Sequence, residues 1–177
     1  MKLLWLDLET TGLDPRACSI LEIVVMQADF ATPFEAEPRY HAIFRHDGTG
    51  LSTFIRDMHT KNGLLAECEA SWLCVEEADE ALSVLLLQPE SSVLAGSSIH
   101  FDLGFLREHM PKFAKLLSHR LYDVSAIKLF CESLGMPKLP KAEAHRAQAD
   151  VLESIDHAQR CAAWVVALPA YTYANGS

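Results

Sequence analysis

The stretch Leu3–Gly12, LLWLDLETTG, decides the fold and raises the first chemical question. Its apolar first half predicts a buried β-strand, yet two acids, Asp7 and Glu9, follow with a single residue between them. Successive side chains of a strand alternate between its two faces, so both carboxylates project from the same side. At roughly 4 Å, two like charges repel by about 1 kcal/mol in water and by about 4 kcal/mol at an effective dielectric near 20. Such a pair is either merely exposed, or neutralised by a proton or by cations, and other acids in the chain decide between these cases.

The composition is typical of a single globular domain in the cytoplasm. The 177 residues are 50% hydrophobic and 22% charged, and we expect one domain over residues 1–168 and a polar tail over residues 169–177. Five cysteines, an odd number without a C-x-x-C pair, indicate reduced thiols rather than a disulfide framework. The longest apolar stretches, around Leu82–Leu87 and Cys161–Leu168, are shorter than the ~20 residues that span a bilayer, so no membrane association is expected.

The net charge of −9 restricts the kinds of partner that the chain can have. A protein that coats long nucleic acid normally needs a basic surface, so that class is disfavoured. An enzyme that grips a short piece of nucleic acid is compatible with this charge, because part of it could be a metal site that cations neutralise.

The order of strand and helix patterns predicts an α/β fold. An early hairpin of strands is followed by strands that alternate with helices, which favours a mixed sheet flanked by helices. The turn-rich segment ATPFEAEP, residues 31–38, is the predicted hairpin connection, and residues 135–141 form a proline-broken loop. The predicted strands are Leu3–Leu8, Ile20–Asp29, Tyr40–Arg45, Val93–Ala95 and Leu121–Asp123, and the predicted helices are Thr53–Thr60, Val75–Leu87, Phe101–His109, Lys112–Leu117, Ser125–Leu134 and Arg146–Val166.

Two further acids lie in predicted helices. Asp102 follows the Val93–Ala95 strand and opens a helix, where an acid also favours the helix dipole. Asp150 belongs to the stretch HRAQAD in the last helix, where it could simply be solvated. Taken in order, however, the chain has D-x-E on its first strand, an Asp that opens a mid-chain helix, and H-x-x-x-x-D near its C terminus.

This order of motifs resembles the DEDD superfamily of 3′→5′ exonucleases, which have a ribonuclease H-like fold. Asp7 and Glu9 match the first motif, Asp102 the second and Asp150 the third, while His145 stands where the histidine subtype has its histidine. The resemblance implies that the four acids hold two divalent ions, Mg²⁺ or Mn²⁺, directly or through water. Two such ions about 3.5–4 Å apart can activate water and stabilise a leaving 3′ oxygen, and hard ions prefer carboxylate oxygens.

His145 is the general base that the resemblance implies. Residues five apart on an ideal helix point away from each other, so we expect His145 on the segment before the last helix rather than inside it. An imidazole with an ordinary pKa of about 6.5 can accept a proton from water at neutral pH.

Longer segments in the middle of the chain resemble oligoribonucleases within this superfamily. The three segments are MHTKNGL at Met58–Leu64, GSSIHFDLGFLREHMPKF at Gly96–Phe113 and HRLYDVSAIK at His119–Lys128. The resemblance implies an exoribonuclease that cleaves very short single-stranded RNA, dinucleotides favoured, to 5′-mononucleotides, and it implies a homodimer. Stretches Phe113–Leu117 and Ala162–Leu168 are candidates for the dimer interface, although packing within one subunit explains them equally well.

The same resemblance implies a set of substrate contacts. Leu13 matches a leucine wedge between the two bases of a dinucleotide, and Phe54 matches an aromatic residue that contacts a base, although both could be core residues. His59 matches a histidine near the substrate. The residues that match a cap on the terminal 5′ phosphate, which would limit substrate length, are Ser98, Arg120 and Ser125.

Three positions differ from the oligoribonuclease pattern. Thr10 stands in place of a methionine, His100 in place of a glutamine and His119 in place of a tyrosine that reaches across the dimer. These departures leave open a preference for longer substrates. Two alternatives also stay open, namely a DNA 3′→5′ exonuclease of the same superfamily and a catalytically silent domain that only binds nucleotides.

Overall fold

A mixed five-stranded sheet forms the centre of the structure. The structure is a computed structural model that describes residues 3–28, 38–85, 92–142 and 144–168. The strand order is β3-β2-β1-β4-β5; β1 pairs antiparallel with β2 and parallel with β4, and β4 pairs parallel with β5. The fold class expected from the sequence is therefore confirmed. The strands are β1 (Leu3–Thr10), β2 (Ile20–Ala28), β3 (Tyr40–Ile43), β4 (Val93–Gly96) and β5 (Leu121–Asp123).

Helices cover both faces of this sheet. Ser52 caps the first helix by accepting a hydrogen bond from the Ile55 amide at 3.3 Å, and Asp123 caps the sixth in the same way. Gly63 separates the first helix, whose C-cap is Asn62, from the second, whose N-cap it is, and its φ of 83 is a backbone conformation that favours glycine. The helices are α1 (Thr53–Lys61), α2 (Leu64–Ala70), α3 (Val75–Leu85), α4 (His100–His109), α5 (Pro111–Ala114), α6 (Val124–Ser133) and α7 (Ala147–Ala167).

The alternation of β1 divides the core into two layers. Leu4, Leu6 and Leu8 pack on one face, against a cluster that includes residues of α3, α4 and α5. Leu3 and Trp5 pack on the other face, in a cluster with residues of α7. Because odd-numbered residues share a face, the two acids of β1 lie on the side that α7 covers.

The end of β4 lies very close to β1, and this approach requires a glycine. A Cβ atom added at Gly96 would lie 2.6 Å from the carbonyl oxygen of Leu6, so any larger residue would push the strands apart. The chain then turns at Ser98, with φ 53, and begins α4. This turn brings the first turn of α4 to the strand that carries the D-x-E pair.

Most predicted elements are present with small shifts of their ends. β1 extends beyond Leu8 to Thr10, and the predicted Lys112–Leu117 helix is the single turn α5. Helix α2 was not predicted, because at seven residues it is too short for a clear helical period. The predicted hairpin connection falls almost wholly outside the described residues, as does the tail over 169–177. No helix in the described ranges has both the length and the apolar character that a bilayer crossing needs.

Candidate active site

Three carboxylates meet where β1 faces the start of α7. Asp7, Glu9 and Asp150 each offer an oxygen, and these atoms lie within 4.8 Å of one another. The strand alternation places the first two side by side, and the first turn of α7 supplies the third. Glu9 is buried and the other two are partly buried, so water screens their mutual repulsion poorly.

The environment of these acids favours their protonated forms when no cation is bound. Burial raises the pKa of Asp7 well above its ordinary value, and the charges of Asp102 and Asp150 raise it further. Burial and the charge of Asp150 raise the pKa of Glu9 to about 8. Burial also raises the pKa of Asp150. A site that disfavours its own negative charge in this way is one that a cation would neutralise.

Asp102 lies beside the three acids rather than among them. Its Oδ1 accepts a hydrogen bond from the amide of Leu8 at 3.0 Å, and its side chain is 4% exposed. Burial raises the pKa of Asp102 to about 7. Leu8 stands between Asp7 and Glu9, so this hydrogen bond places Asp102 beside the D-x-E pair, and the charge of Asp102 raises the pKa of Asp7.

The donor set fits a hard divalent cation. All the side chains that converge here are carboxylates, and oxygen ligands of this type suit Mg²⁺ and Mn²⁺ rather than softer metals. Mg²⁺ is normally held by few protein groups together with water and substrate phosphate, so three or four carboxylates are sufficient.

His145 lines the same cleft as the three acids. It precedes α7, as the sequence predicts, and its φ of 47 lies in the left-handed region. The amide Nδ2 of Asn62, which follows α1, donates a hydrogen bond to the carbonyl oxygen of His145. His145 is therefore held at its backbone by a residue that is distant in sequence.

The cleft has a volume of about 440 Å³, within the range of about 300–1,000 Å³ usual for ligand sites. Lys128 and Lys141 also line this cleft, and neither was predicted. Lys128 lies one helical turn after Ser125 on α6, a spacing that the sequence does show. Its Nζ is 3.1 Å from Nδ1 of His157, whose Nε2 is 3.0 Å from the Pro140 carbonyl oxygen.

The residues predicted to contact the nucleobases of the substrate lie at the surface and not in the core. Leu13 is 82% exposed and lines the acidic cleft. Phe54 is 72% exposed and lines an adjoining hollow with Asn62 and His145. His59, in contrast, is fully buried, and its Nε2 lies 3.7 Å from Oε2 of Glu9.

The predicted phosphate contacts are brought together only in part. The hydroxyls of Ser98 and Ser125 are 3.1 Å apart, and both residues line the cleft. The amide of Ser98 donates to Oδ1 of Asp123 at 3.2 Å, which joins this pair to the cap of α6. Arg120 is exposed and is not among the residues that line the cleft.

The three departures from the oligoribonuclease pattern have separate environments. The Thr10 hydroxyl donates a hydrogen bond to the Gly12 carbonyl oxygen at 2.8 Å and so stabilises the turn after β1. His100 is exposed, with Nδ1 3.4 Å from Oδ2 of Asp123. His119 is exposed as well.

Comparison with known proteins gives consistent matches. The exonuclease family RNase_T matches residues 4–157. The oligoribonuclease of Corynebacterium diphtheriae is 34% identical over 181 residues, which cover 95% of this chain and 85% of that protein. The mitochondrial oligoribonuclease of Mus musculus is 35% identical over 169 residues, with 89% and 70% covered.

Among solved structures, E. coli exonuclease I in complex with a dT13 oligonucleotide matches with a TM-score of 0.67 at 16% identity. The match covers 90% of this chain but only 40% of that one. At this identity the similarity concerns the fold, and it agrees with a ribonuclease H-like arrangement of the sheet and helices.

Proposed function

The chain belongs to the oligoribonuclease family of exonucleases, and on that premise we propose that it degrades very short RNA, dinucleotides above all, to 5′-mononucleotides. One observation carries this proposal. The oxygens of Asp7, Glu9 and Asp150 lie within 4.8 Å of one another in a cleft that Leu13 and His145 also line. The cleft thus combines three carboxylates that would hold a cation, an imidazole and an exposed apolar side chain.

The four acids would hold two divalent ions, with Asp102 a ligand directly or through water. Bound ions would activate the attacking water and stabilise the leaving 3′ oxygen, as paired ions do in phosphodiester hydrolysis. Asp7 and Glu9 would release their protons on cation binding, because the cation replaces the proton in relieving their repulsion. Mg²⁺ and Mn²⁺ both suit this donor set.

His145 would accept the proton of the attacking water at its imidazole. Its place in the same cleft as Asp7, Glu9 and Asp150 supports this role. His59 would support Glu9 from behind rather than touch the substrate, since its side chain is fully buried 3.7 Å from that acid.

The substrate would lie along the exposed groups of the cleft. Leu13 would insert between two bases and Phe54 would stack on one of them, an interaction worth about 1–3 kcal/mol per base. The terminal 5′ phosphate would bind the Ser98 and Ser125 hydroxyls, with Lys128, one helical turn after Ser125, and Arg120 as the candidate cations. A cap of this kind favours short chains, because a longer RNA has no terminal phosphate at that position.

A length series tests the proposal. RNAs labelled at the 5′ end, from the dinucleotide to about a dozen residues, are timed with Mg²⁺ or Mn²⁺ and with EDTA. We expect the dinucleotide to be cleaved fastest and EDTA to abolish cleavage. Faster cleavage of single-stranded DNA would favour the DNA exonuclease alternative, and Mn²⁺ binding by calorimetry without turnover would favour the silent domain.

We propose a homodimer in which residues 1–168 of each subunit form one exonuclease domain. In the stretch Ala162–Leu168, Val166 is 86% exposed, whereas Phe113 of the other candidate stretch is fully buried in its own subunit. The first stretch is therefore the better candidate, and light scattering after size exclusion measures the mass of the assembly.

The cysteines are free, which agrees with a reducing compartment, and the cytoplasm is the proposed location.

A further inference from the structure

Glu22 of β2 is a buried acid that the reaction described above does not use. It is the strand neighbour of Glu9 in the β1–β2 pairing and is 1% exposed. Burial alone would raise its pKa, but hydrogen bonds from the Arg146 side chain and the Ala147 amide keep the pKa of Glu22 below its usual value. Two adjacent strands therefore carry neighbouring acids with opposite behaviour, and Glu22 is the one that stays charged.

Arg146 binds two carboxylates at once. Its Nε and Nη2 donate to the two oxygens of Glu22, both at 3.1 Å, and its Nη1 and Nη2 donate to those of Glu67 at 2.9 and 3.0 Å. The amide of Ala147 adds a further hydrogen bond to Glu22 at 3.1 Å. The donors of the guanidinium are thereby engaged within the protein, so Arg146 is not free to bind a substrate phosphate.

These contacts fall on both sides of His145. Arg146 follows it directly, and Asn62 holds its carbonyl oxygen from the end of α1. The Asn62 side chain is itself fixed, because its Oδ1 accepts from the Leu64 amide at 3.1 Å. The φ of 47 at His145 is a strained conformation for a residue with a side chain, and such strain persists only where the surroundings enforce it.

We propose that Arg146 is a positioning residue that acts through His145: its pairing with Glu22 and Glu67 holds the backbone of His145 in the left-handed conformation that directs the imidazole into the cleft. The inference rests on the proposed function, in which His145 is the base. Loss of Arg146 releases the segment before α7 and lets His145 relax to an ordinary conformation. The acids of β1 stay in place, since they belong to the sheet.

A double-mutant cycle tests this coupling. Arg146→Gln, His145→Ala and the double variant are compared with the wild type in steady-state cleavage of an RNA dinucleotide with Mn²⁺. We expect Arg146→Gln to lower kcat by about 10–100-fold. KM and the calorimetric Mn²⁺ Kd should change far less than kcat, because Asp7 and Glu9 are held by the sheet. In the His145→Ala background the same substitution is expected to have no further effect, because the residue through which it acts is gone.

Arg160→Gln is the matched control. Arg160 lies on α7 and pairs with Asp156 at 2.7 Å on the exposed surface, so the same substitution there should leave kcat and KM unchanged. Circular dichroism and a melting curve report the fold of each variant. If Arg146→Gln does not fold, Glu67→Gln enters the same cycle, because it weakens the pairing of Arg146 at its more exposed partner and leaves the buried Glu22 paired with Arg146.

Each possible result of this cycle either supports or overturns the inference about Arg146. A loss of equal size in both backgrounds, or wild-type kcat in Arg146→Gln, overturns the inference while leaving the proposed function intact. Wild-type activity in His145→Ala overturns the proposed base and with it the inference. A loss confined to the background that retains His145 supports the proposal.

Discussion

Acidifying the metal-free protein from pH 8 to pH 7 should stabilise it, which is the reverse of ordinary acid denaturation. The reason lies in the carboxylates of the candidate active site. The folded protein holds Glu9 with a pKa of about 8, against an ordinary value of 4.5, because burial and Asp150 disfavour its charge. Between pH 7 and pH 8, Glu9 is therefore largely protonated in the folded state and ionised in the unfolded state.

The sign and size follow from this difference in bound protons. Stability is greatest below the ordinary pKa of Glu9 and is lost as the pH rises through its folded pKa. Each pH unit in that window changes the free energy of unfolding by up to about 1.4 kcal/mol per proton. For a chain of this length, a change of about 1.4 kcal/mol, which is the effect of one pH unit, shifts the Tm by about 3–5 °C. Asp102, whose pKa is raised to about 7, adds to the effect at the lower end of the window.

Two groups whose titration would lower stability on acidification, His59 and Glu22, act below the window from pH 8 to pH 7. The pKa of His59 is lowered by burial, so its charging would destabilise the fold only below its ordinary value of 6.5. Glu22 has a pKa below its ordinary value of 4.5, so its contribution is lost only at more acidic pH.

Differential scanning calorimetry in EDTA at pH 8.0, 7.5 and 7.0 measures the shift, and Glu9→Gln and saturating Mn²⁺ are the controls. Glu9→Gln should melt higher than the wild type at pH 8 and show a smaller pH dependence. With Mn²⁺ the rise on acidification should vanish or reverse, because protons then compete with the cation. A Tm in EDTA that is constant or falls from pH 8 to pH 7 would refute the electrostatic reasoning.

Asp150→Asn should abolish Mn²⁺ binding in calorimetry. It should lower the cleavage rate by well over the ~100-fold typical of substitutions at residues that only hydrogen-bond to a metal ligand. Asp156→Asn, on the exposed side of α7, is the control and should change neither quantity. Leu13→Ala should raise KM for an RNA dinucleotide and leave the Tm unchanged, because the side chain is 82% exposed; an unchanged KM would remove Leu13 from the substrate site. Gly96→Ala should destabilise the fold by at least about 2 kcal/mol in urea unfolding, since its Cβ would lie 2.6 Å from a β1 carbonyl oxygen. Gly104→Ala within α4 has a nearest contact at 3.4 Å and should be neutral or stabilising, so equal losses at both glycines would contradict the steric argument.

The sheet could be predicted because its strands are short apolar runs with clear ends. The D-x-E alternation also placed Asp7 and Glu9 on one face correctly, since side-chain direction in a strand follows from position alone. Helix α2 was not predicted, because at seven residues it is too short for a clear helical period and it is separated from α1 only by the turn at Gly63. Its apolar residues at positions 64, 65 and 68 are the one local signal.

The sequence predicted which residue types would form the candidate site, but not the contacts that hold the segment around His145 in place. Motif order named the acids and His145, whereas the contact of Glu22 with Arg146 joins residues 124 positions apart and leaves no trace in local pattern. Burial was the other unknown. Leu13 is exposed and His59 is buried, although both belong to segments that mix apolar and polar residues.

The central place of β1 implies that the two halves of the site will fail at different temperatures. β1 is hydrogen-bonded to β2 along its whole length and to β4 over Leu3–Trp5, so its amide protons should exchange with solvent only when the whole domain opens. His145 belongs to a connecting segment whose opening need not break the sheet. We therefore expect heating to inactivate the enzyme before the domain melts, with Asp7 and Glu9 still in place and the proposed base, His145, displaced.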